Sequence, residues 1–398
     1  MSEPTRETWC FHALDTLFFR ESRPMDSIGN SELTSLFPPS ARTMIGAIRS
    51  VIGECAAINW REYHELKEKH ELAQVIGYGD DNLGCLSFEG VWVQKESERL
   101  YPAPLNVMRQ TCGDREELFL IKIGEKSIQT DIGHVRLPEL QKGREGSRTL
   151  ENIWLTADEY SLILSGGLLN PDRWFKLKPV SVHAMDSNCL LVEEPRVGIA
   201  RDNALRNVQQ GLLYQTRHVR LTDDVSLCMD ISGVPDQYGP TQHYLTRLGG
   251  EGRMAAITIK EAPEFLSLPD LVADSSGVVH FVLYLLTPLL ITHKNASVWQ
   301  PLPGFKAPDE GEQAIWEGNL NGIDLKLHTA ITGKAHREGG WDMPNHKPKP
   351  VKSYIPAGSV FYCTSTVNPR EIIEILHGSR IGEEQKLGRG KIAVGVWE

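Results

Sequence analysis

The chain has 398 residues, enough for two domains, and its 40% hydrophobic content is ordinary for a soluble globular protein. Its formal net charge of −10 argues against a free-standing protein that coats nucleic acid, so any phosphate-binding surface must be local. Seven cysteines, at positions 10, 55, 85, 112, 189, 228 and 363, form no Cys-x-x-Cys pair, which argues for reduced thiols and against a zinc site.

In chain order, Met1 to Glu7 holds no apolar signal region. Trp9 to Phe19 reads as a strand, and a helix starts after Ser40, a good N-cap. At 100° per residue Met44, Ile48, Val51, Ile52 and Cys55 gather on the side that packs. Arg42, Gly46, Arg49 and Gly53 share the opposite side. Glycine inside a helix costs about 1 kcal/mol relative to alanine, so something is expected to pack close there: RNA phosphate, a partner subunit, or a loop of the same chain. Strand candidates follow at Leu86–Val93 and Leu118–Ile123, and Gln141–Arg148 reads as a charged loop.

A second half opens near Pro179. Its strand candidates are Val180–Val192 (a hairpin around Asp186), Gly211–Leu221, Met254–Lys260, Val278–Leu286, Ser359–Thr366 and Lys391–Trp397. The apolar run from Val278 to Ile291 is too short to span a bilayer. Arg196, Arg201 and Arg206 recur every five residues, matching neither helix nor strand, and read as a loop. Tyr214, Thr216, His218 and Arg220 alternate on one strand face, which suits stacking of splayed bases or an ordinary solvated face. Gly249-Gly250-Glu251-Gly252-Arg253 frees a backbone beside an arginine that can meet phosphate or pair with Glu251. Gly333 to Pro350, rich in Gly, Pro and Lys, reads as a long mobile loop.

The last thirty residues carry the strongest local signal. Asn368-Pro369-Arg370-Glu371 reads as a capped helix start, and Gly378 as its stop. A glycine-rich basic loop with Gly382, Gly388 and Gly390 follows, then a terminal strand. Arg380, Lys386, Arg389 and Lys391 supply charge, and neither Lys386 nor Arg389 is expected to serve the core. This is no nucleotide P-loop, because Gly390-Lys391 leads into a strand rather than a helix. It reads either as a phosphate-binding loop or as a glycine-rich turn without chemistry.

Taken in order, the segments Leu14-Asp15-Thr16-Leu17-Phe18-Phe19-Arg20, Leu36-Phe37-Pro38-Pro39-Ser40, Glu194-Pro195-Arg196-Val197-Gly198, Leu248 to Arg253, Ile355-Pro356-Ala357-Gly358 and the terminal loop closely resemble one family. That family is the third subunit of the type III-B CRISPR (Cmr) effector complex, within the RAMP superfamily. The resemblance implies an α+β fold of two tandem ferredoxin-like (RRM-like, βαββαβ) domains with loop and hairpin insertions, divided here as residues 1–178 and 179–398. It implies a non-catalytic cytoplasmic subunit that binds the 5′ tag of the crRNA and bridges the large polymerase-like subunit to the backbone subunits. It also implies no membrane, metal or cofactor. The RNA-binding candidates are then Arg42, Arg49, Arg253, Arg380, Lys386, Arg389, Lys391, His218 and Arg220, with Gly249, Gly250, Gly252, Gly382, Gly388 and Gly390 as loop backbone.

Some RAMP relatives cleave RNA without metal through a histidine, and His12, His183 and His218 are the residues to nominate here. None has a sequence-encoded partner, and the pairs Asp80-Asp81 and Asp223-Asp224 read as turns. A crRNA-processing endoribonuclease, and a bridging subunit without RNA contact, are the alternatives.

Overall fold

A computed structural model of the chain describes residues 6–21, 32–79, 81–113, 115–130, 133–168, 174–177, 188–202, 207–240, 244–291, 300–306, 315–342 and 347–397. Two compact units form, and they interleave along the chain. The first takes Met1–Ser97, Leu177–Pro263 and Arg337–Lys352; the second takes Glu98–Lys176, Glu264–His336 and Ser353–Glu398. A single cut at residue 178 therefore misplaces much of each unit. The reason is topological: a strand can join a sheet from anywhere along the chain, and sequence order does not reveal which sheet it joins.

The first unit contains β1 (Glu7–Ala13), α1 (Ala41–Cys55), β2 (Ser87–Lys95), β3 (Leu191–Asp202), β4 (Asn207–Leu221), β5 (Val225–Ser232), β6 (Tyr244–Arg247) and β7 (Met254–Glu261). Its main sheet runs β2-β5-β1-β7-β6, and every neighbour is antiparallel. Thr8, Trp9, Cys10 and Phe11 are all buried, so the central strand β1 is covered on both faces. The chain leaves the sheet at Ala13, six residues before the expected strand end, and turns at Leu14-Asp15. Strands β3 and β4 form a long hairpin, so Arg196 lies in a ladder and not in a loop. A period of five hid that strand.

Helix α1 begins where expected, with the Ser40 hydroxyl accepting from the Arg42 N–H at 3.2 Å. Met44, Ile48, Val51 and Ile52 are fully buried. Within the segment expected to be a mobile loop, the described residues form pairings: Trp341–Asp342 pairs antiparallel with Lys347–Pro348, and the Lys349 N–H donates to the Gly340 carbonyl at 3.0 Å.

The second unit contains α2 (Ala157–Leu164), β8 (Val279–Leu285), β9 (Trp316–Leu320), β10 (Ile323–Ile331), β11 (Val360–Ser365), α3 (Pro369–Leu376) and β12 (Ile392–Val396). Its sheet runs β9-β10-β11-β8-β12, again antiparallel throughout. One face packs Phe281, Leu283, Phe361, Ile392 and Val394 against Ile372 and Leu376 of α3. Burying such side chains contributes about 1.5–3 kcal/mol each. Asn368 caps α3 by accepting from the Arg370 N–H at 3.0 Å, with Pro369 at its first position. Thr156 and Glu159 close a reciprocal capping box on α2. With the edge strands β6 and β9 set aside, the two sheets share one order: of the four remaining strands by chain position, the fourth lies beside the first, then the third, then the second. Of the described residues, α1 follows the first strand of one unit and α3 precedes the fourth of the other. No helix of the described residues is long and apolar enough to cross a membrane.

On the other face of the second sheet, the Trp397 ring meets His280, His328 and Tyr362 at centroid distances of 5.2, 5.4 and 5.3 Å. Burial, then nearby Arg136, pushes the His328 imidazole down to about 4. Unfolded chain takes that proton near 6.5, so between roughly 6.5 and 4 the unfolded state binds more protons. Stability is expected to fall as pH drops through that window. An NMR titration of the His328 ring should show it neutral at pH 5; a midpoint near the ordinary histidine value would contradict this account.

Candidate nucleic-acid interface

In the first unit, three of the segments that carry the family resemblance meet at one place. After β1 the chain folds back onto β4, where Leu17 and Val219 exchange two backbone hydrogen bonds of 2.8 Å. That pairing sets Asp15 beside the β3–β4 hairpin. Glu194 and Arg196 are two residues apart on β3 and share a face. Arg220 on β4 pairs with Val192 and lies diagonal to Glu194. The Gly249–Arg253 turn closes on the same spot, with the Gly250 N–H donating to the Phe18 carbonyl at 2.8 Å.

The side chains form a network of three guanidiniums and two carboxylates. Arg220 donates to Glu194 Oε2 at 2.7 Å and to Asp15 Oδ1 at 2.9 Å. Arg196 donates to Glu194 Oε1 at 2.7 Å and to Asp15 Oδ2 at 3.1 Å. Arg253 donates to Asp15 Oδ2 at 3.1 Å, and so pairs with Asp15 and not with Glu251. The Arg220 hydrogen bond leads in holding both the Asp15 and Glu194 carboxyls below the usual range, and Arg196 adds to it. At neutral pH the group carries three positive and two negative charges, and it remains partly open to solvent.

His218 lies beneath this cluster and not on an open face. It is 1% exposed, its Nδ1 lies 3.1 Å from Thr16 Oγ1, and its ring stacks on Phe18 at 5.1 Å. Burial, then Arg253 and Arg196, lowers its pKa, so the imidazole is neutral. Thr216 is buried too, which corrects the expectation of an exposed aromatic and basic strand face. His12 Nε2 lies 2.8 Å from Thr258 Oγ1. His183, Asp80 and Arg206 lie outside the described residues, as do the side chain of Arg201 and most of the hairpin expected around Asp186. Asp224 occupies a turn with φ +63°, its carbonyl accepting from the Glu96 N–H at 2.7 Å.

Part of the stripe on α1, Arg49 and Gly53, is taken up by the same chain. Arg49 clamps the carbonyls of Gly77 and Gly79 at 2.6 and 2.8 Å. A Cβ on Gly53 would meet the Trp60 ring at 2.6 Å, whereas Gly46 faces open space. Arg42 lies 3.8 Å from Asp81.

In the second unit the terminal glycine loop is folded into its own backbone. The Gly390 N–H donates to the Pro288 carbonyl at 3.0 Å, the Ile381 N–H to Gly390, and the Gly388 N–H to Gln385. The Lys391 N–H donates to Thr287 Oγ1 at 2.9 Å. Gly390 has φ +69°, and a Cβ there would collide with the Ile381 carbonyl. A Cβ on Gly382 would strike Leu289. The Gly388 and Gly390 amides are therefore spent internally, and their expected role in backbone approach to phosphate is corrected, while Gly382 has a packing reason to be glycine. Gly249 behaves alike: its φ is +79°, and a Cβ there would collide with the Phe18 carbonyl.

The loop cations divide. Arg389 is 2% exposed and lies 4.8 Å over the Tyr354 ring, while Lys391 is 6% exposed and lies 4.9 Å over Phe265. The expectation that Arg389 is dispensable to the core is overturned, because its charge is packed on an aromatic face. Lys386 is exposed, and half-exposed Arg380 donates to the Gln385 carbonyl at 2.9 Å. Sequence reading missed Asp15, Glu194 and Arg196 as site residues, although all three lie within the resemblance segments.

Substitutions should separate these roles. Gly390→Ala and Arg389→Ala are expected to lower the thermal midpoint clearly, Gly390→Ala by about 1–3 kcal/mol of backbone strain plus the clash. Lys386→Ala should stay within about 0.5 kcal/mol of the parent. Equal midpoints for all three proteins would show that the loop is not part of the fold.

A sequence model of the family described as CRISPR-associated protein (Cas_Cmr3) matches residues 9–397. No curated protein matches the chain. Among solved structures, the chain is similar to one from "Cryo-EM structure of the Type III-B Cmr-beta bound to cognate target RNA", at 16% identity and a TM-score of 0.45, covering 93% of this chain and 88% of that one. It is also similar to a chain of "Crystal structure of Csm3-Csm4 subcomplex in the type III-A CRISPR-Cas interference complex", at 12% identity and a TM-score of 0.36, covering 91% and 100%. With the family match running from β1 to the residue after β12, and its motif segments gathered at the arginine cluster and the terminal loop, the chain belongs to the CRISPR-associated protein (Cas_Cmr3) family.

Proposed function

We propose that this chain is a non-catalytic subunit of a type III-B CRISPR effector complex that holds the 5′ tag of the crRNA and bridges the large polymerase-like subunit to the backbone subunits. The observation that carries this reading is the meeting of the family's segments at Arg196, Arg220 and Arg253. Guanidiniums match phosphate geometry, and this group keeps one net positive charge on a protein whose total is −10. The shared strand order of the two sheets supports reading each unit as ferredoxin-like. That His218 is buried supports a binding role over an acid–base one. Exposed Lys386 and half-exposed Arg380 are further candidates for phosphate contact.

Free chain should bind tag RNA weakly and with steep salt dependence, because only a local patch attracts it. Affinity should rise when the large subunit is added; equal affinity with and without that partner argues against a composite site. In the assembled complex, Arg196→Ala with Arg253→Ala should reduce tag retention and lower the salt slope by about one for each phosphate no longer neutralised. Arg61→Ala, on an exposed helix pair with Glu65, serves as the control and should change neither. Retention that ignores the double substitution would favour a bridging subunit without RNA contact.

Purified chain should leave repeat RNA uncut with or without divalent metal. Site-specific cleavage that disappears in His12→Ala or His218→Ala would overturn the non-catalytic assignment.

A further inference from the structure

Two cysteines that lie 218 residues apart in sequence meet inside the main sheet of the first unit. Cys10 of β1 and Cys228 of β5 are directly opposite partners in the antiparallel ladder, so their side chains leave the same face of the sheet. Opposite residues in such a ladder have Cα atoms about 4.5–5.5 Å apart, inside the roughly 4.4–6.8 Å that a disulfide spans. The two Sγ atoms lie 2.9 Å apart. That is closer than the roughly 3.5–4.0 Å at which non-bonded carbon atoms sit, and sulfur is the larger atom.

The surroundings suit both the reduced and the oxidised pair. Gln94 Oε1, from β2, lies 3.6 Å from each sulfur and accepts from the thiols. The same oxygen accepts from the Lys260 ammonium of β7 at 2.5 Å, a charge-assisted partner that it keeps when the thiol hydrogens are gone. Gln94 Nε2 donates to the Glu96 carbonyl at 2.5 Å, which fixes the orientation of the amide. The Ser226 hydroxyl lies 3.5 Å from Cys228 Sγ and can donate to that sulfur in either state. Loss of both S–H groups therefore leaves the Gln94 carbonyl paired, and no desolvation penalty opposes oxidation there.

We infer that Cys10 and Cys228 are a redox pair, joined by a peroxide into a reversible cross-strand disulfide that locks β1 to β5. One thiol sulfur takes an oxygen from hydrogen peroxide, giving a sulfenic acid and one water. The second sulfur then displaces that hydroxyl and closes the S–S bond, and the hydroxyl leaves with the second thiol's proton as another water. The two sulfurs lose two electrons and the peroxide gains them. A dithiol reductant reverses the bond by exchange. Both residues are 1% exposed, so the reaction proceeds through local opening of the sheet and favours an oxidant little larger than water. Closing so long a loop on the central strand should restrict the unfolded chain strongly. The inference is independent of the tag-holding role.

The test uses the full folded chain. Accessible thiols, such as that of exposed Cys85, are first capped with iodoacetamide, and hydrogen peroxide is added after the excess is removed. Non-reducing peptide mass spectrometry is expected to find Cys10 linked to Cys228 as the main disulfide, and dithiothreitol should remove it. The thermal midpoint of the oxidised chain should exceed that of the reduced chain by roughly 4 °C. Cys228→Ser should lose both the linked peptide and the shift. If Cys228→Ser fails to fold, the dithiothreitol-reversible peptide and midpoint of the unaltered chain read the same pair. Recovery of Cys10 and Cys228 as thiols after peroxide, or linked mainly to other cysteines, overturns the inference. A linked peptide that leaves the midpoint unchanged or lowers it overturns the lock.

Discussion

Each unit depends on a central strand buried on both faces. In β1 four successive residues are inaccessible to solvent, and in β8 every residue but His280 is buried. Such a strand cannot end in open water without exposing its backbone, so the chain that leaves it must find partners at once. Both units solve this alike. The segment after β1 receives the Gly250 N–H at Phe18, and the segment after β8 receives the Gly390 N–H at Pro288. In both, a glycine-rich loop precedes the last strand of the sheet and supplies those donors, and Gly249 and Gly382 have positive φ where a side chain would strike the exiting backbone at Phe18 and Leu290.

The charges follow from that packing. Because the exit of β1 is pinned to β4 and to the glycine turn, Asp15 is held among three arginines from separate segments. Two carboxylates keep the guanidiniums oriented and neutralise most of their charge, leaving a small positive surplus. Incoming phosphate would have to compete with Asp15 and Glu194 for the same donors, which suits a site completed by partners better than a strong isolated one. In the terminal loop the glycines serve the fold, Arg389 and Lys391 are drawn onto aromatic rings, and Lys386 is left facing solvent.

Much of the local structure was legible in the residues. The caps of α1 and α3, the buried stripe of Met44, Ile48, Val51 and Ile52, and strands β4, β7, β8, β11 and β12 follow from period and capping chemistry, whereas β5, β6, β9 and β10 were not read. The Thr156–Glu159 box of α2 carried the same signal and was overlooked amid a stretch without recognised motifs. Arg196 was hidden because regular spacing between arginines says nothing about the backbone they hang from. His218 looked like a surface residue because alternation gives the face of a strand, not what covers that face.

What the sequence determined by itself is what depends on neighbours a few residues apart: helix starts, strand alternation, the need for glycine at sharp turns, and the ordered motifs that mark the family. What only the tertiary structure decided depends on groups far apart in the chain. It placed Asp15 against Arg196, Arg220 and Arg253, turned Arg389 inward onto Tyr354, and built each unit from separated stretches of the chain. Hydrogen bonds and ion pairs act only at contact distance. One chain can therefore write down which groups it owns long before folding decides which of them meet.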